Sequence, residues 1–495
     1  MALGTLMNAA GRAVAQVVAT RFPERLSGGV LIAVGAGNNG GDGWVAARAL
    51  HRLDIPVFVA AAPGEPSPLN RQMADFARRD GVRTVEIDGP WPSVTLGIDA
   101  LLGTGARGAL RPAVAAVVQR LTDLAVPLIA VDGPTGVDLG TGVMHGIALN
   151  AHLSVTFGGL RRGHLLARDE SGDIVVVDIG HPSSDPAWPT LMTDQVAASL
   201  VGHFPAVAHK GSRGRIVVVG GATGMSGALR LAARASFAAG AGLVHAVAPA
   251  DTIDALVRAE PDLQTHCHNF EAPLSTGLLE LLDRSNAVVI GPGLGRGAGR
   301  LAFVTAVIRQ SRMVVLDADG LNAFAGELPL LRELATACRL ILTPHPGEFR
   351  RLFPDLAGGL ELDPWTAASA AAELLGATLL VKGVPSVVAT PGQAPVTVAS
   401  GNPGLATGGS GDVLSGITGS LLAQGLTPAA AAGLAAQALG RAADLAARRT
   451  TARGLRPMDV IAALPDVWRG WESLRLVRPA PRPPVLLELE LPQRW

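Results

Sequence analysis

The sequence predicts an α/β protein of two domains, each built on a mainly parallel sheet covered by helices. Three observations predict this. Short apolar runs alternate with helical windows along nearly the whole chain, the pattern left by strands buried on both faces under crossover helices. The alternation fades between Gly180 and His209, where Pro182, Pro186, Pro189 and Pro205 crowd together, and then restarts, which marks a domain boundary. Finally, 495 residues are enough for two or three domains at roughly 100–200 residues each.

Taken in order, an amphipathic stretch from Leu3 to Val18 leads into the apolar strand Val30–Val34, and a helix follows Asp42. Strands are predicted at Pro56–Ala60, Thr84–Ile87, Leu96–Leu101, Pro127–Val131, Leu153–Phe157 and Ile174–Asp178. Beyond the break they resume at Ile216–Val219, Leu243–Ala248, Ala287–Ile290, Met313–Leu316, Arg339–Leu342 and Thr378–Val381. The uncharged stretch Val413–Gly440 is long enough to cross a bilayer, but Gly425-Leu426-Thr427-Pro428 interrupts it, so two buried helices are expected. Residues Arg478–Trp495, rich in Pro and Leu, are expected to form a loosely attached tail.

Composition narrows the function. The 41 basic and 41 acidic side chains cancel, which gives no electrostatic footprint for nucleic acid or a membrane surface. Cys267 and Cys338 stand outside any CxxC pair, so a disulfide scaffold is excluded and a reducing cytoplasm is expected. Lysine occurs twice, at Lys210 and Lys382, each followed by glycine, in a chain that otherwise uses arginine. A lysine kept in such a background suggests a need for a compact point charge.

Glycine loops carry the chemistry. Gly35-Ala36-Gly37-Asn38-Asn39-Gly40-Gly41-Asp42-Gly43 joins a strand to a helix and matches GxGxxG, yet the next strand ends without the acidic residue that would hold a ribose. Its two asparagines and Asp42 add polar atoms able to bind a cation or a polar ligand. Two further strand ends, Asp99-Ala100-Leu101-Leu102-Gly103-Thr104-Gly105 and Asp132-Gly133-Pro134-Thr135, are expected to meet this loop, because ligands of open α/β sheets lie beyond the strands' carboxyl ends. In the second half, Gly220-Gly221, Gly291-Pro292-Gly293-Leu294-Gly295, Asp317-Ala318-Asp319, Thr343-Pro344-His345-Pro346-Gly347-Glu348 and Lys382-Gly383 all follow strands. Asn402-Pro403-Gly404-Leu405-Ala406-Thr407-Gly408-Gly409-Ser410-Gly411-Asp412 opens a helix. Its free N–H groups form an anion hole for a phosphoryl group, and Asp412 is placed to accept a hydroxyl proton. Glu348 is a candidate for organising Mg²⁺ through water. No GxxxxGK[ST] occurs, which excludes a P-loop ATPase. His266-Cys267-His268 lacks a second ligand pair at zinc spacing and is taken as structural.

These motifs, in this order, resemble the bifunctional NAD(P)H-hydrate repair enzymes, which fuse an NAD(P)H-hydrate epimerase to an ADP-dependent (S)-NAD(P)H-hydrate dehydratase. The resemblance rests on NNGGDG at Asn38–Gly43, DALLGTG at Asp99–Gly105, GMSGA around Met225, GPGLG at Gly291–Gly295, TPHPGE at Thr343–Glu348 and NPGLATGGSGD at Asn402–Asp412. It implies a Rossmann-like parallel-sheet sandwich over residues 1–189, a ribokinase-like domain over 190–475 and a Pro-rich tail over 476–495. It implies catalysis by Asp132 and Asp412. Substrate contacts would fall on Asn38, Asn39, Gly40, Gly41, Asp42, Gly103, Thr104, Gly105, Ala106, Arg107, Gly108, Ala109 and Asp132 in the first domain, and on Ala228, Gly293, His345 and Asp412 in the second. Lys382, Gly383, Val384, Pro385, Ser386 and Gly411 would meet the adenine nucleotide, and Asn39, Asp99 and Thr135 would bind potassium.

The implied partners are the hydrates NADHX and NADPHX, ADP as phosphoryl donor and Mg²⁺, with a homo-oligomer expected and no nucleic acid or membrane. Three departures stand out: Thr135 where the family usually has Ser, Arg161 where lysine is common, and a short run before Leu6-Met7-Asn8 where the family has a longer helix. The competing expectations are a ribokinase-like kinase for a small vitamin precursor with an accessory N-terminal domain, and a nucleotide-binding scaffold without turnover.

Overall fold

A computed structural model describes residues 3–180, 185–476 and 485–491. They form two compact units, the first from residues 3–180 with 485–491 and the second from 185–476.

The first unit is built on strands β1 (Val30–Val34), β2 (Val57–Ala61), β3 (Arg83–Val85), β4 (Leu96–Ala100), β5 (Leu128–Val131), β6 (Leu153–Phe157) and β7 (Asp173–Val177). They run parallel in the order β7-β6-β5-β4-β1-β2-β3. The central strands β1, β4 and β5 are buried throughout, as apolar runs without alternation require. Helix Leu3–Arg21 is present in full and buries Met7, Val14 and Val18 against helix Asn38–His51 and the sheet.

The chain's last stretch departs from expectation. Val485–Leu489 is no loose tail: it pairs antiparallel with β7 and closes that edge of the first sheet. Arg21 meets Glu488 and Glu490 at 3.2 and 3.1 Å, Arg168 donates to the Leu489 carbonyl at 3.1 Å, and the Leu491 N–H donates to Asp173 at 2.8 Å. An uncovered edge presents a row of unpaired backbone groups, and this strand satisfies them.

The second unit adds β8 (Thr190–Leu191), β9 (Arg215–Val219), β10 (Leu243–Ala248), β11 (Gln264–Cys267), β12 (Ala287–Ile290), β13 (Met313–Leu316), β14 (Arg339–Leu342), β15 (Thr378–Val381), β16 (Ser386–Ala389) and β17 (Val396–Val398). Their order is β11-β10-β9-β12-β13-β14-β15-β16-β17-β8, parallel from β11 to β15 and antiparallel across β15-β16-β17. The uncharged stretch forms two helices, Ser410–Ala423 and Pro428–Arg449, separated at Gly425 and buried with helix Ser226–Ala238 in one apolar core. Among the described residues no helix is long and apolar enough to cross a membrane.

Candidate functional sites

In the first unit the glycine loops do converge. Asn38, Asn39, Asp42, the segment Gly103–Ala109 and Asp132 line one cleft of about 720 Å³, with Leu3, Leu6 and Met7 of the first helix on its wall. Gly40 and Gly41 lie behind this surface. A Cβ on Gly40 would come 1.9 Å from the Gly35 carbonyl oxygen, so only glycine allows the helix to start this close to β1. Asn70, which the motif reading missed, braces the same loop from below by donating to the Gly35 and Gly37 carbonyls at 2.9 and 2.6 Å.

Asp132 follows β5 at φ +67°, a left-handed conformation that Asp tolerates better than most residues. Its Oδ2 accepts from the Thr104 N–H at 2.8 Å and its Oδ1 from the Thr156 hydroxyl at 3.2 Å. His164, fully buried and also missed from sequence, donates Nε2–H to the Asp132 carbonyl at 2.7 Å, while its Nδ1 accepts from the Arg161 N–H at 3.0 Å. Burial holds His164 below the usual imidazole range, which favours the neutral ring this pattern needs. Asp42 lies in the same cleft and is pushed up to about 8, first by burial and then by the charge of Asp132. Two carboxyl groups thus share the cleft, with Asp42 held near neutral.

Asp99 and Thr135 sit beneath this surface, both buried. Thr135 donates to Asp99 through its N–H and its hydroxyl, each at 2.8 Å, and Leu101 N–H donates at 3.0 Å. Burial still pushes Asp99 up to about 6 against these hydrogen bonds. Asn39 anchors from the other side, its Nδ2 donating to the Val131 carbonyl at 3.2 Å.

In the second unit, one lysine organises the carboxylates. Lys382, at the end of β15, donates to Asp317 Oδ1 at 2.9 Å and lies 3.7 Å from Glu348 Oε2. Burial lowers its affinity for the proton, but Asp317, Glu348 and Asp412 outweigh that and hold it above the usual range. Asp412, in the first turn of helix Ser410–Ala423, is pushed up to about 7 by burial and the neighbouring Asp317, with Lys382 opposing. A carboxylate poised there is tuned for general base work near neutral pH. Gly411 faces the pair: a Cβ on it would lie 3.3 Å from Lys382 Nζ and 3.8 Å from Asp317 Oδ2, so its absence leaves room beside the lysine.

The other predicted residues fall around this centre. His345 caps helix Pro346–Leu352 by accepting from the Gly347 N–H at 2.9 Å, while its backbone N–H donates to Glu348 at 2.8 Å, and its ring is half-exposed. Gly293 packs against Met225 and Ala228, and Gly295 N–H donates to Asp319 at 2.9 Å, so the GPGLG and Asp317–Asp319 segments meet. Gly383, Val384, Pro385 and Ser386 form the turn between β15 and β16, closed by the Ser386 hydroxyl on the Gly383 carbonyl at 3.1 Å. Asn402 holds its loop in place through Asp444 at 3.0 Å. Of the two lysines, Lys382 takes a central place, whereas Lys210 is exposed on a loop. The sequence marks Asp317 only as part of the Asp317-Ala318-Asp319 segment, since its partnership with a lysine 65 residues away has no local pattern.

His266 faces His245, Nε2 to Nδ1 at 3.0 Å. Among the described residues no group of three or more His, Cys, Asp or Glu is placed to hold a metal ion by itself.

The two folds and their sites define a two-part nucleotide-handling protein, and comparison with known proteins gives the family. Residues 3–163 match the model described as YjeF-related protein N-terminus, and residues 216–466 the model described as NAD(P)H-hydrate dehydratase. The bifunctional NAD(P)H-hydrate repair enzyme of Escherichia coli (strain K12) is 34% identical over 94% of this chain and 89% of its own length. That of Coxiella burnetii is 34% identical over 93% of each chain. The crystal structure of the ADP/ATP-dependent NAD(P)H-hydrate dehydratase from Bacillus subtilis, co-crystallised with ATP and Mg²⁺, is 26% identical, with TM-score 0.50, over 57% of this chain and 99% of that one. A ribokinase-like superfamily protein from Enterococcus faecalis shares the fold at TM-score 0.50 and 22% identity, over 59% of this chain and 99% of its own. The chain belongs to the bifunctional NAD(P)H-hydrate repair enzyme family, with both its epimerase-type and its dehydratase domain.

Proposed function

We propose that this protein restores hydrated nicotinamide nucleotides: the first unit interconverts the R and S hydrates of NADH and NADPH, and the second dehydrates the S form with ADP. The observation that supports the reading is that one chain holds two glycine-loop sites, with Asp42 and Asp132 in the first cleft and Asp412 at the helix start in the second.

In the first cleft, Asn38, Asn39, Asp42, Gly103–Ala109 and Asp132 would hold the nucleotide. Inversion at the hydroxyl-bearing ring carbon can run by the ring nitrogen's electron pair expelling the protonated hydroxyl as water, which then adds to the other face, and in this reading Asp132 gives and takes back that proton. Asn39, Asp99 and Thr135 offer an oxygen-only donor set around a buried carboxyl group pushed up to about 6 by burial, which fits a hard monovalent cation. Potassium held there would supply charge neutralisation.

In the second unit, Asp412 removes the proton of the ring hydroxyl as its oxygen attacks the β-phosphorus of ADP. The new O–P bond forms as the bond to AMP breaks. The ring nitrogen's electron pair then expels phosphate, and loss of a ring proton restores the reduced cofactor. Free N–H groups at the start of helix Ser410–Ala423 and the Lys382 ammonium stabilise the charge on the transferring group. Glu348 and Asp317 would hold Mg²⁺ through water and phosphate, where the ion neutralises charge on the phosphates. Lys382–Ser386 and Gly411 would line the nucleotide site, with Ala228, Gly293 and His345 toward the hydrated ring. Cys267 and Cys338 are both free, which suits a reducing compartment.

The test uses separated S and R hydrates of NADPH and follows recovery of reduced-nicotinamide absorbance. Recovery from S only when ADP is present, and from R faster than its spontaneous epimerisation, is expected. Accumulation of a phosphorylated product without recovery would instead favour a small-molecule kinase.

A further inference from the structure

The first cleft carries more positive charge than its own carboxylates use. Arg107, Arg111 and Arg161 all line it. Arg107 is committed: its Nη1 donates to the Thr104 and Ala106 carbonyls at 2.9 and 2.8 Å and lies 3.4 Å from Asp138. It therefore braces the Gly103–Ala109 loop and stays with it.

Arg111 and Arg161 are not committed in this way. Among the described residues neither has a carboxylate within ion-pair range; Arg161 donates only to the Gly159 carbonyl at 3.3 Å. Arg111 occupies the N-cap of helix Pro112–Asp123 and makes no side-chain capping bond. That position ordinarily takes Ser, Thr, Asp or Asn, whose oxygen accepts from the first turn. A guanidinium has no acceptor, so Arg111 does not fill that role, and its side chain lines the cleft. Both are exposed, and two guanidinium groups that line one cleft without a carboxylate partner offer charge to an anionic ligand.

The two hydrates differ in one anion. Both carry a diphosphate; the NADPH hydrate carries an additional 2′-phosphate. Guanidinium forks match phosphate oxygens in geometry and charge. We propose that Arg111 and Arg161 are specificity-determining residues that draw the 2′-phosphorylated hydrate into the first cleft in preference to the unphosphorylated one. The inference rests on the repair reading of the first unit and names the substrate that unit favours.

The test measures R-to-S conversion by chromatography of the epimers without ADP, so that the second unit is silent. The whole protein should show a KM for the NADPH hydrate roughly tenfold below that for the NADH hydrate, the worth of one charge-assisted hydrogen bond. Arg111→Ala and Arg161→Ala should each raise the KM for the NADPH hydrate several-fold more than for the NADH hydrate, with kcat little changed. Arg111→Lys and Arg161→Lys should keep part of the preference, which separates lost charge from lost folding. Equal KM values in the unaltered protein, or a preference unmoved by both alanine variants, would overturn the inference while leaving the repair reading intact. If neither hydrate is epimerised, the reading of the unit fails, and protection against melting of the first unit by NADP⁺ and NAD⁺ decides the inference. A larger shift with NADP⁺ that Arg111→Ala and Arg161→Ala diminish supports it, and equal shifts overturn it.

Discussion

In the proposed reading both sites move a proton beside a charged nucleotide, and their acids are arranged differently. In the first unit Asp42 and Asp132 face an open cleft lined by arginines that pair with neither of them, and Asp42 is held near neutral by burial and by its neighbour. In the second, Asp317, Glu348 and Asp412 surround Lys382, and the balance leaves Asp412 at about 7. The difference follows the chemistry. Epimerisation changes no net charge, so it does not call for a fixed cation paired with the acids. Phosphoryl transfer builds charge on oxygens, and a fixed ammonium beside the glycine turn meets it.

Several interventions break or sharpen this contrast. Asp412→Asn should produce the largest effect, lowering ADP-dependent dehydration of the S hydrate by roughly 10³-fold or more while epimerisation continues; turnover with purified S hydrate measures it. Dehydration should also rise with pH through about 7, because Asp412 must lose its proton to act as base, and Asp412→Glu should displace that limb in a pH–rate profile. Asp132→Asn should slow epimerisation by roughly 10²-fold or more without touching dehydration of S.

Lys382→Ala should lower the stability of the second unit by about 3 kcal/mol, because it strands the buried carboxylates of Asp317 and Glu348; calorimetry reads this as an earlier transition for that unit. Ending the chain at Arg478 removes the strand Val485–Leu489 and its contacts to Arg21 and Arg168. The expected loss is about 1–2 kcal/mol, confined to the first unit. The smallest effect concerns potassium. Asp99 has its folded-state pKa raised to about 6 from 3.8, so its unfavourable contribution is absent below about pH 4 and grows as pH rises to about 6. Potassium should raise the first unit's melting temperature by a few degrees at pH 7.5 and progressively less below pH 6.

Much of the fold was legible because its strands are continuous apolar runs. Val30–Val34 and Ala287–Ile290 lie where the sequence predicts them. The strands that escaped, Gln264–Cys267, Thr190–Leu191, Ser386–Ala389, Val396–Val398 and Val485–Leu489, all lie in the outer part of their sheets. Gln264–Cys267 is polar and half-exposed, Thr190–Leu191 has two residues, and Val396–Val398 follows Pro391 and Pro395. Val485–Leu489 sits behind a run of prolines, and the antiparallel partner that gives it order lies more than 300 residues earlier.

The sites divide along similar lines. Asn38–Asp42 and Gly411–Asp412 are visible because glycine loops at helix starts are local patterns. His164 is not, because it acts through a backbone carbonyl, and the Asp317–Lys382 pair is not, because only the sheet brings β13 and β15 near each other.

The central claim is that two separate sites act in series, and an equal mixture of R and S hydrates tests it most directly. With ADP, the Asp132→Asn protein should restore the S half rapidly and the remainder only at the spontaneous rate of epimerisation, giving a two-phase recovery of absorbance. A single fast phase carrying the whole mixture to completion would show that Asp132 and its cleft are not the epimerising site, and would contradict the account.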